Sequence, residues 1–348
     1  MSVIGSAARK ASIAPLAAFL LAGVAQGAPS LALPVDCGIG RTCIVQNYVD
    51  RDPGPEARDY RCGFLTYDGH KGTDIRVIDA AALRKGVAVL AAASGHVRAV
   101  RDGMQDASVR RIGKAAIAGR EAGNSVVIEH GDGWETQYAH MRKGSVAVRA
   151  GDIVTAGEKL GLVGLSGNTE FPHVHFEVRH DRKTVDPFAG ADAAEACDAG
   201  GHALWRSDAL DALAYVATGV LDAGIAGAAP VVGDGNVDRE RTERFTPASA
   251  AAVFWVQIYG ARADDVEEFR FVAPDGRVLS GHRDPIARNQ AQWLAYAGLR
   301  RGDAGWSAGA YRGEYALYRG REKLISLTRE TRLAPQAVSP RDPGQGAD

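Results

Sequence analysis

The sequence has no excess of either charge: 41 lysines and arginines stand against 42 aspartates and glutamates in 348 residues. A protein that binds nucleic acid needs a basic face to displace phosphate counterions, so nucleic acid is excluded as an expected partner. Long apolar runs are also scarce. One run, "APLAAFLLAGVA" from Ala14 to Ala25, approaches membrane character, and it is too short to span a bilayer. It follows Arg9 and Lys10 and ends at the small residues Ala25-Gln26-Gly27, the three-part pattern of a secretory signal. Residues 1–27 are therefore read as a signal peptide, with an uncleaved anchor or a buried helix as the other reading. No lipid anchor is expected at Cys37, because Leu33-Pro34-Val35-Asp36 puts an Asp where a lipobox needs a small residue. The expected location is periplasmic or secreted, with no stable membrane span after cleavage.

Cysteine is sparse too. The four, Cys37, Cys43, Cys62 and Cys197, all lie beyond the cleavage site, and an even count in an exported chain favours two disulfides over a metal cluster. Four cysteines permit three pairings. The preferred one joins Cys37 to Cys43, closing a short loop, and Cys62 to Cys197, tying the start of a domain to its end.

What is abundant is β-type patterning. From Cys37 to about residue 190, short alternating runs such as "VAVLAAASGHVRAV" and "GNSVVIEHGDGWETQYAHM" are separated by turn residues, with Asp132-Gly133 a hairpin signal. This predicts an all-β protein whose first domain, 37–190, is an antiparallel β-sheet. Residues Met104 to Ala122 interrupt the pattern and are expected as a surface loop or short helix, with a lid over a site as the other reading. Residues 191–236 turn to Ala, Gly and Asp and are read as a connecting segment, with a short helix within Leu204–Leu221 and a linker at Ala223–Asn236. Strands return over 237–333, where the alternation suggests a small C-terminal β-sandwich. The tail 334–348 is rich in Pro, Asp and Gly and is expected to be disordered.

Histidine is the third scarcity, at nine residues. Two of them sit one residue apart in "FPHVHFEVR", where the period of two sends His173, His175, Glu177 and Arg179 to one face and Val174, Phe176 and Val178 to the other. A second stretch, "GHKGTD", places His70 and Asp74 four residues apart, with Gly72 arguing for a turn that feeds a strand. In "WETQYAHM", Trp134, Thr136, Tyr138 and His140 fall on one strand face. A catalytic zinc takes three N or O ligands and keeps one position open. His70, Asp74 and one imidazole of the His-x-His pair would supply that set. His96, His130, His180, His202 and His282 have no partner at ligand spacing.

"HKGTD", "YAHM" and "HVHFEVR", in this order and separation, resemble the three signatures of the lysostaphin-type (LytM-like) zinc metallopeptidases, which cut peptides of the bacterial cell wall. The likeness runs from about Gly63 to Phe188. It implies a β-sheet metallopeptidase domain with an open groove, one Zn²⁺ per chain and a peptidoglycan peptide as substrate. It further implies that His70, Asp74 and His175 are metal ligands and that His140 and His173 act on the reacting atoms, without saying which does which. Thr136 and Tyr138 are candidates for the oxyanion or substrate groove, and Glu177 for a partner to an imidazole. Two other functions remain open: a catalytically silent regulator that activates cell-wall amidases, and a wall-binding scaffold using the C-terminal domain.

Overall fold

The computed structural model describes residues 27–335 apart from 195 and 199. All but the last residue of the expected signal peptide and all but the first two residues of the expected tail lie outside the described residues.

The first domain holds ten strands: β1 (Cys43–Asn47), β2 (Thr73–Val77), β3 (Ala88–Leu90), β4 (Gly95–Arg101), β5 (Asn124–Gly131), β6 (Trp134–Met141), β7 (Ile153–Val154), β8 (Lys159–Leu162), β9 (His173–His180) and β10 (Lys183–Val185). Eight of them form one sheet in the order β1-β2-β9-β6-β5-β4-β7, with β10 pairing β9, while β3 and β8 pair separately. All the pairings are antiparallel. The hairpin of β5 and β6 turns on Asp132 and Gly133, whose φ values of 44° and 78° are those of the tight turn that matches strand twist. Behind the sheet the alternating apolar positions, among them Ile75, Val126, Ile128, Tyr138, Val174 and Phe176, form a fully buried core with Trp205. The other face carries the polar positions of β2 and β9.

The insertion at 104–122 contains two short turns of helix, Val109–Ile112 and Lys114–Ile117. Its backbone is pinned to the loop before β9, with Ala107 N–H on the Leu165 carbonyl at 2.9 Å and Val109 N–H on that of Thr169 at 2.8 Å. Cys37 is bonded to Cys43 and Cys62 to Cys197.

A helix at Ser207–Ala212 precedes the second unit, whose strands are β11 (Gly219–Ala226), β12 (Ala251–Ala261), β13 (Val266–Val272), β14 (Val278–Pro285), β15 (Gln290–Arg300), β16 (Gly309–Arg319) and β17 (Glu322–Leu333). Sheets β11-β12-β15 and β14-β13-β16-β17 enclose a core of Phe254, Phe269, Phe271, Tyr311, Tyr315 and Leu317. This is the sandwich, but it starts earlier than composition suggests. The stretch expected as a linker at Ala223–Asn236 begins inside β11, where Gly219–Ala226 pairs along β12. The small residues serve packing rather than flexibility: a Cβ on Gly224 would meet the Trp255 ring at 2.8 Å. Strand β15 is one that the sequence reading does not single out.

The sandwich is fastened to the first domain at Arg76, which is fully buried. Its guanidinium donates to Gln46 Oε1 at 2.7 Å within the first domain, and to the Gly235 carbonyl at 2.9 Å, Asn236 Oδ1 at 2.5 Å and Gln292 Oε1 at 3.2 Å across the junction.

Candidate metal centre

The pairing of β2 with β9 sets Asp74 directly opposite His175 and Arg76 opposite His173. Residues directly opposite in an antiparallel pair share a face, so the carboxylate and both imidazoles emerge together on the polar side of the sheet. His70 joins them from the turn before β2, its N–H bonded to the Tyr67 carbonyl at 3.0 Å. His70 Nε2 lies 3.2 Å from Asp74 Oδ1 and 3.2 Å from His175 Nδ1, and His175 Nδ1 lies 2.8 Å from Asp74 Oδ1. The glycine of "HKGTD" permits this approach. A Cβ on Gly72 would stand 2.7 Å from Cε1 and Nε2 of His175 and 2.8 Å from the Phe176 carbonyl.

Each member is held from behind. His70 Nδ1 donates to the Tyr48 carbonyl at 2.6 Å, which turns the Nε2 lone pair inward. Asp74 Oδ2 accepts from Asn47 Nδ2 at 2.8 Å, leaving Oδ1 to the imidazoles. The side chains of His70 and Asp74 are 1 % and 4 % exposed while that of His175 is 17 % exposed, so the cluster opens to solvent on the His175 side.

Two more imidazoles border that opening. His173 Nδ1 donates to the Phe171 carbonyl at 2.9 Å, and its Nε2 lies 3.3 Å from Asp74 Oδ1. His140 Nδ1 donates to the Ser166 carbonyl at 2.7 Å, and its ring centroid is 4.7 Å from that of His173. Burial, reinforced by the His173 and His175 imidazoles, holds the His140 pKa well below the usual histidine range. Its ring is neutral near pH 7, with Nε2 a bare acceptor. Burial would raise the Asp74 carboxyl, but the His70 and His173 imidazoles beside it outweigh that and keep it well below the usual carboxylate range.

His140 reaches this face by an exception to alternation. Tyr138 stands opposite Phe176, so its ring lies on the core side. Alternation would send His140 there as well. Its φ of 60°, at a register shift between β5 and β6, swings the imidazole to the opposite face. Thr136 and Tyr138 consequently do not line the groove. Both are fully buried behind the sheet, where Thr136 Oγ1 bonds His130 Nε2 at 2.8 Å and Tyr138 Oη accepts the Ala92 N–H at 2.7 Å. Glu177 is on the polar face, but its bonds go to Arg179 Nη1 at 2.8 Å and Thr184 Oγ1 at 3.2 Å, not to an imidazole. Asn47 and the carbonyls of Tyr48, Phe171 and Ser166 hold the cluster through contacts that no sequence spacing announces.

Three ligands bound about 2.1 Å from one zinc at tetrahedral angles stand ~3.4 Å apart. Edges of 2.8 and 3.2 Å, with two imidazoles and one carboxylate, fit that ion. His140, His173 and His175 form a second possible group, with ligand atoms within 4.8 Å of one another. It shares His175 and lacks the carboxylate, so the first set suits a divalent cation better.

Residues 68–187 match the model of peptidase family M23, a span that contains all five of these side chains. Among curated proteins, the cell division protein DipM of Caulobacter vibrioides is 40 % identical over 84 residues, 22 % of this chain and 14 % of its own length. The peptidoglycan DD-endopeptidase ShyB of Vibrio cholerae is 42 % identical over 65 residues, 19 % of this chain and 15 % of its own. The matched part of the chain thus spans about a seventh of either relative. Among solved structures, a zinc-containing peptidase from Vibrio cholerae aligns at 26 % identity over 41 % of this chain and 38 % of that one, with a TM-score of 0.27. The part of the chain from residue 68 to residue 187 is a peptidase family M23 domain.

Proposed function

We propose that this chain is an exported zinc metalloendopeptidase that hydrolyses peptide bonds in peptidoglycan stem peptides or cross-links. The observation that carries the reading is the convergence of His70, Asp74 and His175 from separate segments, every edge of their triangle within 3.2 Å. His70 Nε2, Asp74 Oδ1 and His175 Nδ1 would hold the ion. When bound, zinc supplies Lewis acidity toward a peptide carbonyl and makes water a competent nucleophile near neutral pH.

The remaining work falls to His140 and His173. Each has Nδ1 committed to a backbone carbonyl, which fixes the tautomer and leaves Nε2 facing the opening. A neutral His140 can take the proton of an attacking water and return it to the leaving amine. His173 Nε2 faces the same opening and is placed to orient the attacking water beside His140. Restraint by carbonyls on neighbouring loops keeps both rings in place without reorganisation during the reaction.

Export is supported by the pairing of all four cysteines, which suits an oxidising compartment. Among the described residues no helix is long and apolar enough to cross a membrane. The peptidoglycan substrate is supported by what the relative ShyB is named for. All five chemistry-bearing side chains are present and converge, which favours an active enzyme over a silent regulator. The test is metal content and muropeptide cleavage by purified protein. About one zinc per chain and loss of cleavage on chelation are expected; full activity in a metal-free preparation would refute the reading.

A further inference from the structure

A cleft of about 480 Å³ has walls that come from both domains. One wall is Glu56–Arg58 with Phe64–Thr66, on the stretch leading toward His70; the other is formed by Gly260–Arg262 and Asn289–Ala291 of the sandwich. Both walls fall outside residues 68–187, so the family match does not account for the cleft.

Its chemistry is specific. Phe64, 38 % exposed, is faced by two guanidinium groups, with Arg58 Cζ 4.3 Å and Arg262 Cζ 5.1 Å from the ring centroid. Arg58 is paired with Glu56 at 3.1 Å. Among the described residues, no hydrogen bond or ion pair engages the guanidinium of Arg262. An aromatic ring that steadies an uncommitted guanidinium leaves its planar fork for a carboxylate, the partner it matches best.

Two short contact paths join the cleft to the metal set. Thr66 Oγ1 donates at 2.9 Å to the Tyr48 carbonyl, the same oxygen that takes Nδ1 of His70. On the other wall, the Ala291 carbonyl accepts from Gln46 Nε2 at 3.1 Å, and the next residue, Asn47, holds Asp74. Both paths reach the metal set from the side of β1, and an extended peptide advances ~3.3 Å per residue, so the subsite requires a substrate that leaves the metal set toward β1.

We propose that this cleft is a substrate subsite shared by the two domains, in which Arg262, with Arg58 beside it, takes a free carboxylate of the peptide being cut. The proposal rests on the peptidase reading and gives the sandwich a part in substrate recognition.

The test is equilibrium binding, by calorimetry, of a muropeptide with free carboxylates and of the same muropeptide with its carboxylates amidated. The full chain should bind the free acid about tenfold more tightly than the amide. Arg262→Gln should abolish that preference, binding both ligands as the wild type binds the amide. Arg262→Lys, which keeps the charge and loses the fork, should fall between. Equal affinity of the wild type for both ligands, absence of binding, or a preference that survives in a folded Arg262→Gln variant would overturn the subsite. Should Arg262→Gln not fold, Phe64→Leu, which removes the platform from the exposed side, is expected to reduce the preference, and an unchanged preference there overturns the proposal equally. Cleavage by the zinc-loaded wild type is scored separately: no hydrolysis refutes the peptidase reading, whereas hydrolysis without carboxylate preference refutes only the subsite.

Discussion

Asn47 holds Asp74 from the neighbouring strand, its Nδ2 donating at 2.8 Å to Oδ2 so that Oδ1 alone faces the imidazoles. A carboxylate free to rotate would offer either oxygen and lose part of its affinity to that freedom. Asn47→Ala should therefore weaken zinc binding about 10- to 100-fold while leaving the ligand set complete. Competition against a chromophoric chelator measures this. An unchanged affinity would show that Asp74 is held by other means.

Gly72 is the point where the first motif meets the third. An added methyl would sit 2.7 Å from the His175 ring and 2.8 Å from the Phe176 carbonyl. The ring can turn away, but the carbonyl belongs to a central strand and cannot move without shifting β9 against β2. Gly72→Ala is expected to destabilise the protein by about 1–3 kcal/mol and to reduce zinc occupancy. Thermal unfolding with and without metal separates the two effects, and wild-type behaviour in both would exclude the close approach.

His173 and His175 stand two residues apart on one strand face, with different work assigned to each. His175 Nδ1 is a corner of the triangle proposed to hold the ion, whereas His173 Nδ1 is committed to the Phe171 carbonyl. His175→Ala should lose both zinc and activity. His173→Ala should keep most of its zinc and lose turnover about 10²- to 10⁴-fold. Metal analysis beside muropeptide turnover decides it; equal loss of zinc in the two variants would remove the division of labour.

The sheet and the placement of the two neighbouring histidines were legible because a strand's period of two converts sequence directly into faces, as at Val174, Phe176 and Val178 against His173, His175 and Glu177. The same rule misplaced Thr136 and Tyr138, since one left-handed residue, His140, inverts the alternation at the end of β6 and no composition signals it. Asn47 precedes Asp74 by 27 residues, and only the β1–β2 pairing brings them together. Glu177 shares the polar face, but a face does not name a partner, and Arg179, two residues along the same strand, takes its Oε2. Small residues were the other source of error, because Ala and Gly read equally as linker or as room for a large neighbour such as Trp255. The interdomain cleft could not be read at all, being formed by loops more than a hundred residues apart in the chain.

Asp186 should make stability depend on pH. It is 2 % exposed, its Oδ1 accepts the Phe188 N–H at 2.9 Å, and Oδ2 has no partner among the described residues. Burial raises its pKa from an ordinary 3.8 to about 6. Below the lower value the folded and unfolded chains both hold the proton, and the group has no effect. Between the two values the folded chain keeps a proton that the unfolded chain has released, so stability falls as pH rises, and above about 6 the penalty is complete at about 3 kcal/mol. Asp186→Asn removes the titration. Whatever the constant offset from exchanging one side chain for the other, the stability of the variant relative to the wild type should rise by about 2–3 kcal/mol between pH 4 and pH 7. Urea unfolding of both proteins across that range measures the difference, and a difference that stays flat, or falls, would show that the carboxyl is not buried as described.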